Sequence, residues 1–177
     1  MMNAKRLGCL GAICAVLLVV SGCLPGRGNH VVDAWEATAG TLKIRIRKFD
    51  EKNTPMPHNY QVFEAKAGGS DTWRELLEWR TDGLYPIMYD RVQIVSPQVV
   101  NIFIASKYVV TTDAGQTWTT WDALTLRKFP YPRQVGIKKV HVSANGSGIM
   151  LIRYRTEDDM TDSDLTTSDY GVHWTMK

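Results

Sequence analysis

The chain has 177 residues, 44% of them apolar and 22% charged, with 14 Gly, 7 Pro, 6 Trp and 7 Tyr. These values belong to a globular domain and exclude a low-complexity or broadly disordered chain, and a formal charge of +3 is too small for the basic face of a nucleic-acid binder. Cys9, Cys14 and Cys23 are the only cysteines, which excludes a disulfide scaffold, a cysteine-ligated zinc site and a cysteine nucleophile anywhere downstream.

In chain order, Lys5-Arg6 precedes an apolar run from Leu7 to Val20, followed by Ser21-Gly22-Cys23. A basic start, a short apolar run and small residues before a cut describe an export signal. The run is shorter than the ~20 residues of a membrane-spanning helix. Val20-Ser21-Gly22-Cys23 resembles the bacterial lipobox, an aliphatic and two small residues before the cysteine that takes the lipid. The resemblance implies removal of residues 1–22 as a signal peptide and acylation of Cys23. It also implies a place in the bacterial envelope, where several acyl chains on one residue hold firmly. Leu24, where an Asp would signal inner-membrane retention, points to the outer membrane, facing the periplasm.

Loss of Lys5 and Arg6 takes the formal charge from +3 to +1. No pair of cysteines remains to oxidise in an oxidising compartment. Stability therefore rests on packing, for which the 155 residues from Cys23 to Lys177 suffice. The Gly- and Pro-rich segment Leu24 to His30 reads as a tether. Residues 23–40 are assigned to the lipidated cysteine and tether, and 41–177 to a single β-rich domain.

Strand signals dominate that domain. Thr41 to Arg47 alternates apolar and basic residues, as a half-buried strand does. Tyr60 to Ala65, Val92 to Val95, Val99 to Ala105 and Tyr108 to Thr112 are β-branched or aromatic runs with short breaks. Ile137 to Val142 and Ile149 to Tyr154 flank Asn145-Gly146, a hairpin signal. Thr72 to Arg80 is the one helix candidate, with Trp73, Leu76 and Leu77 at i, i+3, i+4 and Thr72 and Glu75 in capping-box spacing. Trp73, Leu77 and Trp79 fit one face of a strand equally well. The expected fold is mostly β: antiparallel meander or hairpin blades, as in an incomplete propeller or a sandwich, with at most one or two short helices.

Thr111-Thr112-Asp113-Ala114-Gly115-Gln116-Thr117-Trp118 recurs as Thr167-Ser168-Asp169-Tyr170-Gly171-Val172-His173-Trp174. Ala67-Gly68-Gly69-Ser70-Asp71-Thr72-Trp73 is a degenerate third copy. Repeats at this spacing with a Gly/aromatic signature are typical of blade-like meanders. The two full copies resemble the Asp-box of sialidases and many β-propellers. Asp113 and Asp169 can accept backbone N–H groups within the turn, Gly115 and Gly171 supply positive φ, and Trp118 and Trp174 bury large side chains beside it. The resemblance implies a structural role at the blade periphery. A propeller needs at least about four blades, and the chain has room for about three, so a sialidase is not expected.

Catalytic constellations are not found. His30, His58, His141 and His173 show no metal-ligand spacing, and there is no nucleophile elbow, P-loop or dinucleotide fingerprint. Glu75 with Glu78, and Arg45, Arg47, Arg153 and Arg155, read as solvated surface charges. No enzymatic activity, cofactor or metal is expected.

Two segments carry candidate partner-binding residues. Leu126 to Arg133 joins Arg127 and Arg133 to Phe129 and Tyr131 on a Pro-stiffened loop, which reads as a plain connection between blades or as an arrangement suited to interface hot spots. Glu157, Asp158 and Asp159 open an acidic loop running to Asp164. Its first reading is a merely solvated loop; it could instead meet a basic partner, or a cation, although it matches no EF-hand loop.

The hairpin ending Gly146-Ser147-Gly148-Ile149-Met150-Leu151, with the closing Thr167 to Trp174, resembles the immunity lipoproteins that protect bacteria from type VI secretion phospholipase effectors. The likeness spans about residues 92–177. It implies a non-enzymatic lipoprotein whose partner is a periplasmic lipase toxin. The alternative is an Asp-box carbohydrate-binding or envelope-assembly lipoprotein.

Overall fold

The computed structural model describes residues 30–51, 58–81, 85–126, 130–131 and 134–176. Among them, twelve strands form three four-stranded antiparallel sheets. Sheet I holds β1 (His30–Ala39), β2 (Leu42–Glu51), β3 (His58–Lys66) and β4 (Arg74–Thr81). Sheet II holds β5 (Val92–Ile94), β6 (Val100–Ile104), β7 (Lys107–Thr111) and β8 (Thr119–Asp122). Sheet III holds β9 (Val135–Val142), β10 (Gly148–Arg155), β11 (Met160–Thr167) and β12 (Thr175–Met176). Each sheet is an up-and-down meander in chain order. The mostly-β meander expected from the sequence is the fold, with short 3-10 turns at Tyr89–Arg91 and Ala123–Thr125.

Alternation along the strands builds the layers. In β2, Leu42, Ile44 and Ile46 are wholly buried while Lys43, Arg45 and Arg47 take the opposite face. All of β6 is buried. Val100, Ile102 and Ile104 pack with Leu42, Ile44, Ile46 and Phe63 of sheet I. Phe103 packs the other way, with Val140, Met150 and Ile152 of sheet III. Sheet II is thus the middle layer, which explains its near-continuous apolar strands.

Glutamine side chains lace the layers together. In β5, Gln93 Nε2 donates to the Val142 carbonyl of β9 at 3.0 Å, and its Oε1 accepts from the Val142 N–H at 3.1 Å and from Asn101 Nδ2 at 3.2 Å. In β3, Gln61 treats the chain entering sheet II the same way, donating to the Pro86 carbonyl at 2.9 Å and accepting from the Met88 N–H at 3.0 Å. A side-chain amide here stands in for a strand neighbour. Gln93→Leu keeps the bulk but strands two backbone groups of Val142, and is expected to cost about 2 kcal/mol in urea denaturation.

One alternative left open by the sequence is decided and two expectations are corrected. Thr72 to Arg80 is not a helix: residues 74–81 are β4, with Leu77 and Trp79 against the core and a bulge at Leu76 between the Phe63–Leu77 and Glu64–Glu75 pairs. A helix that short is marginal by itself, whereas pairing with β3 satisfies the backbone along its length. The tether does not extend to residue 40. Residues 30–39 are β1, paired with β2 and turning Trp35, Ala37 and Ala39 inward. The acidic stretch is not a loop as far as Asp164. Residues 160–167 are β11, with Asp162 and Asp164 outward and Leu165 inward, because Leu165 fills the core beside Met150.

The repeats align the sheets. At matching distances before Trp73, Trp118 and Trp174 stand Phe63 and Ala65, Tyr108 and Val110, and Asp164 and Thr166. The first pair packs against sheet II and the second against sheet III. The third lies on the outer face of sheet III, away from Met150 and Leu165. Exposed Ile149 and half-buried Leu151 share that face.

Candidate binding surface

Each full Asp-box joins the third and fourth strands of its sheet. Asp113 Oδ1 accepts from Thr111 Oγ1 at 2.8 Å and from the Thr117 N–H at 2.9 Å, and Oδ2 accepts from Thr117 Oγ1 at 2.6 Å. Thr111 Oγ1 accepts the Gly115 N–H at 2.9 Å. The second copy repeats this with Thr167, Asp169 and Gly171, and His173 takes the place of Thr117, its Nδ1 lying 2.6 Å from Asp169 Oδ2. Ala114 and Gly115, like Tyr170 and Gly171, have positive φ.

The Thr117 hydroxyl and N–H hold the Asp113 carboxyl below its usual range. Burial works to raise that of Asp169, but the His173 N–H, the Thr167 hydroxyl and the His173 ring outweigh it and bring it to about 2. Both carboxylates are thus committed within their own turns.

The boxes also seat the sheets on one another. Trp174 packs edge-on to Tyr108 of sheet II at 5.5 Å, and Trp118 packs into the core shared by sheets I and II. Burial, with Asp169 nearby, holds the Tyr108 hydroxyl above its usual range. The degenerate copy occupies the equivalent turn of sheet I without the same bonds. There Ser70 accepts from the Thr72 N–H at 3.2 Å, and Trp73 lies under the Arg45 guanidinium at 4.1 Å.

All three of these turns lie at one end of the molecule. Antiparallel alternation sends the start of β1, the 105–106 turn, the β8–β9 connection and the 156–159 turn to the other end. There Arg155, two residues before the acidic turn, contacts the first candidate partner-binding segment. The Arg155 guanidinium sits 5.4 Å from the Tyr131 ring, and its Nη1 donates to Gln134 Oε1 at 3.4 Å. Tyr131 is exposed, as are Glu157, Asp158 and Asp159. Thr156 Oγ1 closes the turn, donating to the Asp159 carbonyl at 2.8 Å and accepting its N–H at 3.1 Å. Arg127, Phe129 and Arg133, like Cys23 and the signal segment, lie outside the described residues.

Arg45 and Arg47 do not form a freely solvated strand face. Their Nε atoms lie 2.6 and 2.7 Å from one oxygen of Glu64, whose side chain is only 6% exposed. Burial works to raise the Glu64 carboxyl, but the two guanidiniums outweigh it and hold it below its usual range. Sequence reading misses this fork because it is made across strands, through the Arg45–Glu64 register. Arg153 pairs with Asp162 at 2.6 Å in an exposed bridge. Glu78 accepts from Arg80 at 2.5 Å, and Glu75 faces Glu64 across β3 and β4.

Among the described residues, which include His30, His141 and His173, no cluster of three potential metal ligands occurs. The side chain of His58 lies outside them. No described helix is long and apolar enough to cross a membrane. The chain matches no family model, no curated protein and no solved structure.

Proposed function

We propose that the chain is a non-enzymatic lipoprotein of the bacterial outer membrane that binds and neutralises a periplasmic lipase toxin delivered by type VI secretion. The observation that carries this reading is the contact of Tyr131 with Arg155, two residues before the acidic turn Glu157 to Asp159, at the end where β1 starts. With Cys23 acylated, a partner seated there is held beside the bilayer, where a lipase acts. An exposed aromatic backed by an arginine and flanked by acids suits a basic, aromatic-tolerant protein surface.

Tyr131→Ala is expected to weaken the complex with its toxin about tenfold, and Glu157→Lys/Asp158→Lys/Asp159→Lys to slow association further, increasingly so at low salt. The melting temperature should hardly move, since all four side chains are exposed. Cells carrying either variant should lose protection in competition against toxin-armed kin. A deletion strain that competes normally would refute the assignment.

A further inference from the structure

We infer that Val32, Tyr85 and Tyr89 form a membrane-contact surface that seats sheet I on the bilayer; the inference rests on acylation of Cys23. Residues 85–91 cross the inner face of sheet I as a strap. The Tyr85 ring meets Trp79 of β4 edge-on at 5.3 Å, Gln61 of β3 grips the backbone at Pro86 and Met88, and Tyr89 stacks on Trp35 of β1 at 6.4 Å. The strap therefore runs from one sheet edge to the other, about 14 Å across four strands, with a tyrosine at each side.

These rings are propped outward. Tyr85 is 44% and Tyr89 61% exposed, and each has a tryptophan behind it that blocks retreat into the core. Val32, 42% exposed, stands at the β1 bulge close to the chain's entry into the sheet. Charges beside Val32 and Tyr89 pair off: Asp33 stands opposite Lys48 in the β1–β2 register, and Asp90 lies 3.6 Å from Arg91. Attraction to anionic headgroups is therefore not what this surface offers. Amphipathic rings with an apolar body and a hydroxyl tip favour the membrane–water interface.

The reach of the chain supplies the second argument. Six residues, Leu24 to Asn29, separate Cys23 from His30, so even fully extended they keep the start of β1 within about 25 Å of the acylated residue. The strap and Val32 are thus held close to lipid, while the Asp-box turns point away. The exposed acids of the 157–159 turn are repelled by anionic headgroups, which lifts sheet III off the surface and leaves that turn open to a partner.

The test uses the acylated protein in vesicles of phosphatidylethanolamine and phosphatidylglycerol. An environment-sensitive fluorophore is placed on Asp90→Cys beside Tyr89 or on Gln116→Cys in the first Asp-box. After processing and acylation the introduced cysteine is the only thiol. Nitroxide carried by the lipids is expected to quench the probe at position 90 at least twofold more than that at 116. The difference should persist in about 1 M salt, where charges are screened within ~3 Å. The combined change Val32→Ser/Tyr85→Ser/Tyr89→Ser should at least halve the quenching at position 90 while the protein still floats with the vesicles. Flotation with equal quenching at both positions overturns the contact surface and leaves acylation standing. Failure to float overturns acylation, and this inference with it.

Discussion

Gly171→Ala is expected to cost about 4 kcal/mol of folding stability, roughly twice the loss from Gly115→Ala. Both glycines hold the left-handed step of an Asp-box, at φ +91° and +85°, so either alanine carries about 1 kcal/mol of backbone strain. They differ in what the new methyl meets. At position 115 it comes within 2.5 Å of Leu42 Cδ1, the end of a side chain that, though also wholly buried, can yield by a change of rotamer where a ring held at its edge cannot. At position 171 it collides with the Tyr108 hydroxyl. Tyr108 is wholly buried and braced by Trp174, so overpacking there adds about 3 kcal/mol. Urea denaturation of both variants, followed by tryptophan fluorescence, measures the contrast. Equal losses would show that the second box seats less tightly on sheet II than its contacts require.

Glu64→Gln is expected to cost about 3 kcal/mol. The substitution leaves Arg45 and Arg47, 21% and 17% exposed, without their shared counter-ion. Losing one member of a buried pair costs about 3–5 kcal/mol, and the partial exposure of the arginines moves the expectation to the low end. The pH dependence follows from linkage. In the folded protein the Glu64 carboxyl lies below its ordinary value of 4.5, so its contribution is complete above that value and is lost as pH falls through the depressed one. The gap between wild type and Glu64→Gln should be constant from pH 7 to about 5 and narrow below. A gap that does not change on acidification would count against the fork.

Short-range patterns carried much of the fold. The alternation of Leu42, Ile44 and Ile46 with Lys43, Arg45 and Arg47 marks β2, and Asn145-Gly146 marks the β9–β10 hairpin. The Asp-boxes declare their own turns because the side-chain bonds of their Asp and first Thr lie within five residues. Features set by distant partners did not show. β1 has Ala37 and Ala39 where stronger strand formers would announce it, and is a strand because β2 pairs with it. Thr72 to Arg80 satisfies two periodicities, and only β3 decides between them. At the candidate surface, Tyr131 and the acidic turn were visible as types of residue. Their meeting through Arg155 was not, since it needs the β8–β9 connection and the end of β10 side by side.

The outward residues of sheet III also fix the length of the stack. Sheet II is apolar on both faces and would accept a neighbour on either side. Sheet III offers Asp164 and Thr166 where its predecessors offer Phe63 and Ala65 or Tyr108 and Val110. Sheet I turns the Arg45–Glu64–Arg47 fork outward at the opposite end. A lineage or a designer lengthening this architecture would therefore have to copy the middle layer. Duplicating either outer one would seal charge inside, so the polar ends act as stop signals for a modular array.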